Sequence, residues 1–238
     1  DVESIAFESE EGGLLKHMRA GTYLVDHTTS SPALAMRMQK EFEKKNISCY
    51  DAPVSGGDIG AKNGQLVTMC GGDKAKFAEV EAIMRTYSKN VQLLGDAGSG
   101  QHTKMVNQIV IAGSMISMCE GLVYGHKAGL NLEQVLSVIG GGAAASFSLN
   151  TYTPRILQGN LDPGFYVEHF VKDMEIALDE CRRMGIALPG LALVHQLYRG
   201  LMAQGGGKLG TQGLKKYSRI LMESKLNNFS DLSSQASG

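Results

Sequence analysis

The sequence predicts an α/β half followed by an all-helical half, joined through one long helix. Three observations predict this. Short apolar runs alternate with helical stretches over the first hundred residues, which argues for a parallel or mixed sheet with helices on its faces. Strand signals stop after Gly100. Between the two regimes a glycine-rich turn, Gly95 to Gly100, opens the apolar stretch HTKMVNQIVIAGSMISMCEG.

Each element has a local reason. The opening stretch, DVESIAFESEEGGLLKHMRAG, reads as the tail of a helix and a loop, with no signal or transit character and no initiator Met. Any targeting segment is expected to lie outside it, which leaves a mitochondrial or a cytoplasmic location open. Gly21 to Asp26 is a short apolar run of the buried-strand kind. Ser31 is a good N-cap and Pro32 suits the first helical position, so a helix starts there. Strands follow at Ile47 to Val54, Gly64 to Cys70 and Val91 to Leu94, with a helix capped by Asp73 running from Lys74 to about Tyr87. Beyond Gly100 helices are expected at about 101–128, 131–140, 146–157, 166–184, 190–204 and 211–224, punctuated by Gly129, Gly185 and Pro189. The tail, NNFSDLSSQASG, is polar and is expected to be disordered.

Composition narrows the function classes. At 238 residues the chain makes one large or two modest domains, and 43% apolar residues suffice for a real core. A formal net charge of −1 gives no basic field for nucleic acid or anionic lipid. Met105 to Cys119, the longest run worth testing as a membrane span, is read as too short and too polar, hence as a helix buried in protein. The four cysteines are scattered, with no C-x-x-C pair, which argues for reduced thiols and against zinc or disulfides. The six histidines are dispersed and no H-E-x-x-H occurs, so no metal site is expected.

Four stretches could carry chemistry. In DAPVSGG, Ser55, Gly56 and Gly57 lie just past a strand's carboxyl end, where open α/β sheets bind ligands. Successive small residues there let backbone N–H groups converge on an anion such as a carboxylate, or simply make a turn. In DHTTSS, Ser31 reads as a cap, while Thr28 and Thr29 could touch a cofactor. Lys104 and Asn107, three apart, share one helix face and could move a proton and orient an oxygen. Acid–base work by a lysine requires its pKa to fall from about 10.4 toward 7–8, the direction favoured by a helix N-terminus and by desolvation. Lys172-Asp173 sits inside an amphipathic helix, where an exposed ion-paired turn is the plain reading. Gly205 to Gly210 and Gly140 to Ala145 match dinucleotide fingerprints by letter, but each follows a helix rather than a strand. The G-x-S-x-G elbow fails at Ser55 and Ser99, where Pro53 and Ala97 replace the first glycine.

Taken in order, DAPVSGG, the run from Gly98 to Asn107 (G-x-G-x-x-x-K-x-x-N) and Lys172-Asp173 resemble the β-hydroxyacid dehydrogenases. These include 3-hydroxyisobutyrate dehydrogenase and the glyoxylate, succinic semialdehyde and tartronate semialdehyde reductases. KMVNQI, PGFYVEHFVKD and LPGLAL look most like the plant-type 3-hydroxyisobutyrate dehydrogenase-like branch. The resemblance implies that residues 1–99 are the later part of a Rossmann-type nucleotide-binding domain. Residues 100–226 would be a helical substrate and oligomerisation domain, and 227–238 a tail. It implies NAD or NADP as cofactor, a small carboxylate substrate, a homodimer or homotetramer and a place in valine catabolism. At matching positions it implies Lys104 as the catalytic lysine, with Ser55, Gly56, Gly57 and Asn107 on the substrate. Thr29, Lys172 and Asp173 would serve the cofactor. The family's opening G-x-G-x-x-G has no counterpart in this sequence. The expectation is either a piece of a longer chain or a naturally truncated one, and a truncated molecule is expected to bind dinucleotide poorly. The alternatives are a non-catalytic scaffold from the same family, disfavoured by the retained lysine, and a 6-phosphogluconate dehydrogenase-like enzyme, which calls for a longer helical domain.

Overall fold

The computed structural model describes residues 1–8 and 13–216. The expected helix at 211–224 runs past that limit, and the expected tail lies outside the described residues. The chain separates into two compact units, Asp1–Asn107 and a second beginning at Gln108.

The first unit is built on a mixed five-stranded sheet. After a short helix, α1 (Gly13–His17), come β1 (Tyr23–Asp26), α2 (Pro32–Glu43), β2 (Ser48–Asp51), β3 (Val54–Ser55), α3 (Gly57–Lys62), β4 (Leu66–Gly72), α4 (Phe77–Met84) and β5 (Ser88–Leu93). β1 pairs with β2 and β4 with β5 in parallel, while β4 runs antiparallel to β2 and β3. Side-chain alternation along the strands makes two cores. Tyr50, Cys70, Val80, Met84 and Val91 fill one, with Tyr23 and Val25 packed against them. Met38, Phe42, Ile47 and Cys49 fill the other, joined by Leu24.

The caps follow the local rules. Ser31 Oγ accepts the Leu34 N–H at 3.1 Å, and Pro32 begins α2. Asp73 Oδ1 accepts the Ala75 N–H at 2.8 Å, but what it caps first is a 3-10 turn, Lys74–Lys76, leading into α4. Two expectations need correction. The strand over Ile47 to Val54 is two strands, interrupted at Ala52-Pro53, because proline has no N–H to give the ladder. The stretch after Ser55, where the sequence suggests an anion-binding or plain glycine turn, goes directly into a helix: Gly57 starts α3.

The helix α5 (Ser99–Lys127) begins in the first unit and continues into the second, where α6 (Leu132–Ile139), α7 (Phe147–Leu157), α8 (Val167–Met184) and α9 (Pro189–Ala203) follow. Here the core includes Met115, Met118, Cys119, Leu122, Phe170, Met174 and Tyr198. The Phe170 and Tyr198 rings meet edge to face at 5.2 Å, and the Tyr198 hydroxyl donates to Thr211 O at 2.8 Å. α8 ends on Gly185 at φ 67°, a left-handed cap with Ile186 N–H returning to Cys181 O at 3.0 Å. At 29 residues α5 is about 44 Å long. By length and composition it could cross a membrane, so the expectation of a run too short to span does not hold. The reason is that the helix continues beyond Cys119 through Leu122, Val123 and Tyr124. Core helices of soluble proteins pass the same test.

Candidate active site

The candidate site lies in the first unit, at the carboxyl ends of β1 and β2. Both strands end on aspartate, and parallel register sets Asp26 opposite Asp51. Asp26 Oδ1 accepts the Thr28 N–H at 2.9 Å, turning the chain into the Thr28–Ser31 segment.

Asp51 is 4% exposed and receives the start of α5. Its Oδ1 accepts the Gly98 N–H and its Oδ2 the Gln101 N–H, each at 2.8 Å. These donors belong to the helix N-terminus, which has no partners of its own and favours negative charge. Burial pushes the Asp51 carboxyl above its ordinary pKa, opposed by backbone N–H groups of Gly98, Gln101, Asp51 and Gly100. Gly100 permits the close approach. A Cβ there would sit 2.5 Å from Met69 O and press on Asp51 O as well.

Lys104 follows one turn after Gln101. It is 7% exposed, and its Nζ donates to Val54 O at 2.9 Å. Val54 precedes Ser55, so the ammonium stands beside the serine–diglycine segment rather than in bulk solvent. Ser55 is partly buried and belongs to β3, opposite Val67. Gly56 and Gly57 are exposed, with φ 124° and 63°, values that favour glycine. Asn107, a turn beyond Lys104, is partly buried.

The Thr28–Ser31 segment carries Thr29, partly buried, and Ser30, whose buried Oγ has no hydrogen-bond partner. Two side chains fix it. The ring nitrogen Nδ1 of His27 lies 2.7 Å from Ala52 O and must donate to it. In the neutral ring Nε2 then accepts the Tyr87 hydroxyl at 2.8 Å. Gln101, fully buried, donates from Nε2 to Thr28 O at 2.7 Å and accepts the Ser30 N–H on Oε1 at 3.1 Å.

Lys172 and Asp173 belong to the second unit, on α8. Their nitrogen and Oδ1 are 3.0 Å apart. The exposed-turn reading holds for Lys172 and fails for Asp173, which is 1% exposed. Asp173 Oδ2 accepts from Gln108 Nε2 at 2.6 Å, so the carboxylate is held from α5 as well. The structure thus brings Lys104 to Val54 O, one residue before Ser55, and Asp173 to Lys172. Asp51, His27, Gln101 and Gln108 escaped the sequence reading. An aspartate ending the apolar strand SCYD was the one visible sign.

The residues present fit a dinucleotide. The carboxyl edge offers two hydroxyl side chains, Thr29 and Ser30, on a segment fixed from both sides, and the Ser30 Oγ is a buried polar atom without a protein partner. Such hydroxyls suit the sugar and phosphate oxygens of NAD(P).

Comparison with known proteins agrees. Residues 98–217 match the family model for the NAD-binding domain of NADP-dependent 3-hydroxyisobutyrate dehydrogenase. Residues 1–95 match that for the NAD-binding domain of 6-phosphogluconate dehydrogenase. An uncharacterised oxidoreductase of Bacillus subtilis is 50% identical over 216 residues, covering 91% of this chain and 74% of its own. The probable mitochondrial 3-hydroxyisobutyrate dehydrogenase-like 1 of Arabidopsis thaliana is 48% identical over 236 residues, covering 99% and 69%. The 2-hydroxy-3-oxopropionate reductase of Escherichia coli is 32% identical, covering 94% and 76%. Among solved structures, 3-hydroxyisobutyrate dehydrogenase of Mycobacterium tuberculosis with L-serine superposes with TM-score 0.80 at 26% identity, over 86% of this chain and 72% of its own. The chain belongs to the β-hydroxyacid dehydrogenases, the NAD(P)-dependent oxidoreductases that include 3-hydroxyisobutyrate dehydrogenase.

Proposed function

We propose that this dehydrogenase interconverts a short β-hydroxy acid and its semialdehyde, with Lys104 as general acid and base. The observation that carries the reading is the burial of the Lys104 ammonium against Val54 O, one residue before Ser55. Bound NAD(P) supplies or accepts the hydride. The Ser55 hydroxyl and the backbone N–H groups of Gly56 and Gly57 hold the substrate carboxylate; the Ser55 N–H is spent in the ladder opposite Val67, and the exposure of Gly56 and Gly57 leaves their backbone open. Val54 O keeps one Lys104 proton occupied and orients the amine. In reduction Lys104 gives a proton to the substrate oxygen; in oxidation the neutral amine takes the hydroxyl proton. Asn107 holds the same substrate oxygen. Thr29 contacts the cofactor, and Lys172, held by Asp173, serves the nicotinamide end.

The named relatives support the substrate class, since two of them are designated for three- and four-carbon hydroxy acids or their oxo forms. We read residues 1–99 as nucleotide-binding and 100–226 as the helical substrate part, which also makes a homodimer or homotetramer. A mitochondrial site is consistent with the plant relatives' designations.

The test is Lys104→Ala in the full-length enzyme, assayed by reduced-nicotinamide absorbance with a panel of short semialdehydes. Turnover is expected to fall by roughly 10²–10⁴-fold with the circular dichroism spectrum unchanged. Near wild-type turnover would refute the role.

A further inference from the structure

The Thr28–Ser30 segment lies in neither helix nor strand, so no ladder fixes its path. Asp26 Oδ1 accepts the Thr28 N–H at 2.9 Å, and one carboxamide holds the chain on both sides of Thr29. Gln101 Nε2 donates to Thr28 O at 2.7 Å, and Gln101 Oε1 accepts the Ser30 N–H at 3.1 Å. The two bonds bracket Thr29, so its backbone is tied on both sides to a side chain with no solvent exposure. A carboxamide carries a fixed donor and a fixed acceptor side by side, as these two bonds require. Gln101 is itself fixed, because its own N–H is spent on Asp51 Oδ2 at 2.8 Å. The bonds link residues 71 and 73 positions apart, so nothing local would restore them.

We propose that Gln101 is a positioning residue for the dinucleotide. It sets the conformation of the Thr29 segment and ties that segment to the turn of α5 that precedes Lys104. The proposal rests on the reading of Thr29 as a cofactor contact. Gln101 never touches the cofactor in this arrangement; it acts through the backbone on either side of Thr29. Removing the carboxamide would leave Thr28 O and the Ser30 N–H unpaired and let the segment move, while the Val54–Gly57 side of the site keeps its own supports. The consequence falls on dinucleotide binding and not on substrate binding.

The test uses Gln101→Met, which keeps an unbranched chain of similar length, alongside Thr29→Val and the double variant, all in the full-length enzyme. Dinucleotide affinity is measured by titration without substrate, and substrate KM separately. Gln101→Met is expected to weaken dinucleotide binding about tenfold, with substrate KM within about twofold of wild type. Thr29→Val should weaken it too, and adding it to Gln101→Met should cost little more, because one residue acts through the other. Unchanged dinucleotide affinity in Gln101→Met overturns the proposal, as does full additivity. Should Thr29→Val alone have no effect, the Thr29 reading falls, and the proposed route falls with it. Gln101→Leu, which removes both the donor to Thr28 O and the acceptor for Ser30 N–H, is the second variant if Gln101→Met does not fold. It is expected to show the same split between dinucleotide and substrate, and equal losses in both would overturn the inference.

Discussion

Replacing Asp51 by alanine tests how the reactive end of α5 is held. Its carboxylate accepts two buried N–H groups, those of Gly98 and Gln101, each at 2.8 Å. Truncation leaves both donors without a partner, at about 1–3 kcal/mol each, so a gross loss of about 2–6 kcal/mol. Part of this is returned, because the ionised carboxylate is itself penalised by burial. That penalty sets an unusual pH dependence. The folded pKa is raised above the ordinary 3.8, so the folded state binds this proton more tightly than the unfolded state. The resulting stabilisation is complete below about pH 4 and is lost as pH rises through the folded value. The stability gap between wild type and Asp51→Ala should therefore be larger at acid pH than at neutral pH, opposite to a salt-bridged aspartate. The assay is urea unfolding followed by far-ultraviolet circular dichroism, since the chain has no tryptophan. A gap under about 0.5 kcal/mol, or one that widens as pH rises, would refute the reasoning.

Three further outcomes are expected. Burial pushes the thiols of Cys49, Cys70 and Cys119 up to about 12, so in the folded protein they should resist alkylation at pH 8 and react only in denaturant; rapid labelling of the native protein would contradict this. Gly100→Ala should destabilise by several kcal/mol and slow turnover together, because the added methyl presses on Asp51 O and Met69 O; a neutral melting curve would count against the close packing described. Tyr198→Phe should cost about 0.5–1.5 kcal/mol, since Thr211 O loses the hydroxyl donor but keeps the Leu214 N–H, with substrate and dinucleotide affinity unchanged; thermal melting checks it.

What could be read from the sequence was local. Ser31 before Pro32 and Gly185 after a helix announce themselves, because a cap is a contact between near neighbours. The strand–helix alternation and the handover near Gly100 were equally plain. The six residues of α3 gave no periodic signal, and the break in the strand at Pro53 needed more weight than a single proline received. The Lys104 side chain could be nominated by motif, but its burial against Val54 O could not, since 50 residues separate them. For the same reason Asp51 and Gln101 stayed hidden. Their importance arises from backbone groups brought to them by the fold, and nothing in the flanking letters distinguishes them from an ordinary strand end or helix residue.

The carboxylate of Asp51 reaches 47 and 50 residues forward to its two donors. Closing a segment that long costs chain entropy before any bond rewards it. The first turn of α5 can wind as an isolated helix, yet its docked position needs both Asp51 of β2 and Met69 of β4 in place. A nascent or partly refolded molecule should thus show nearly full helicity while still inactive, and recovery of turnover should lag behind recovery of secondary structure.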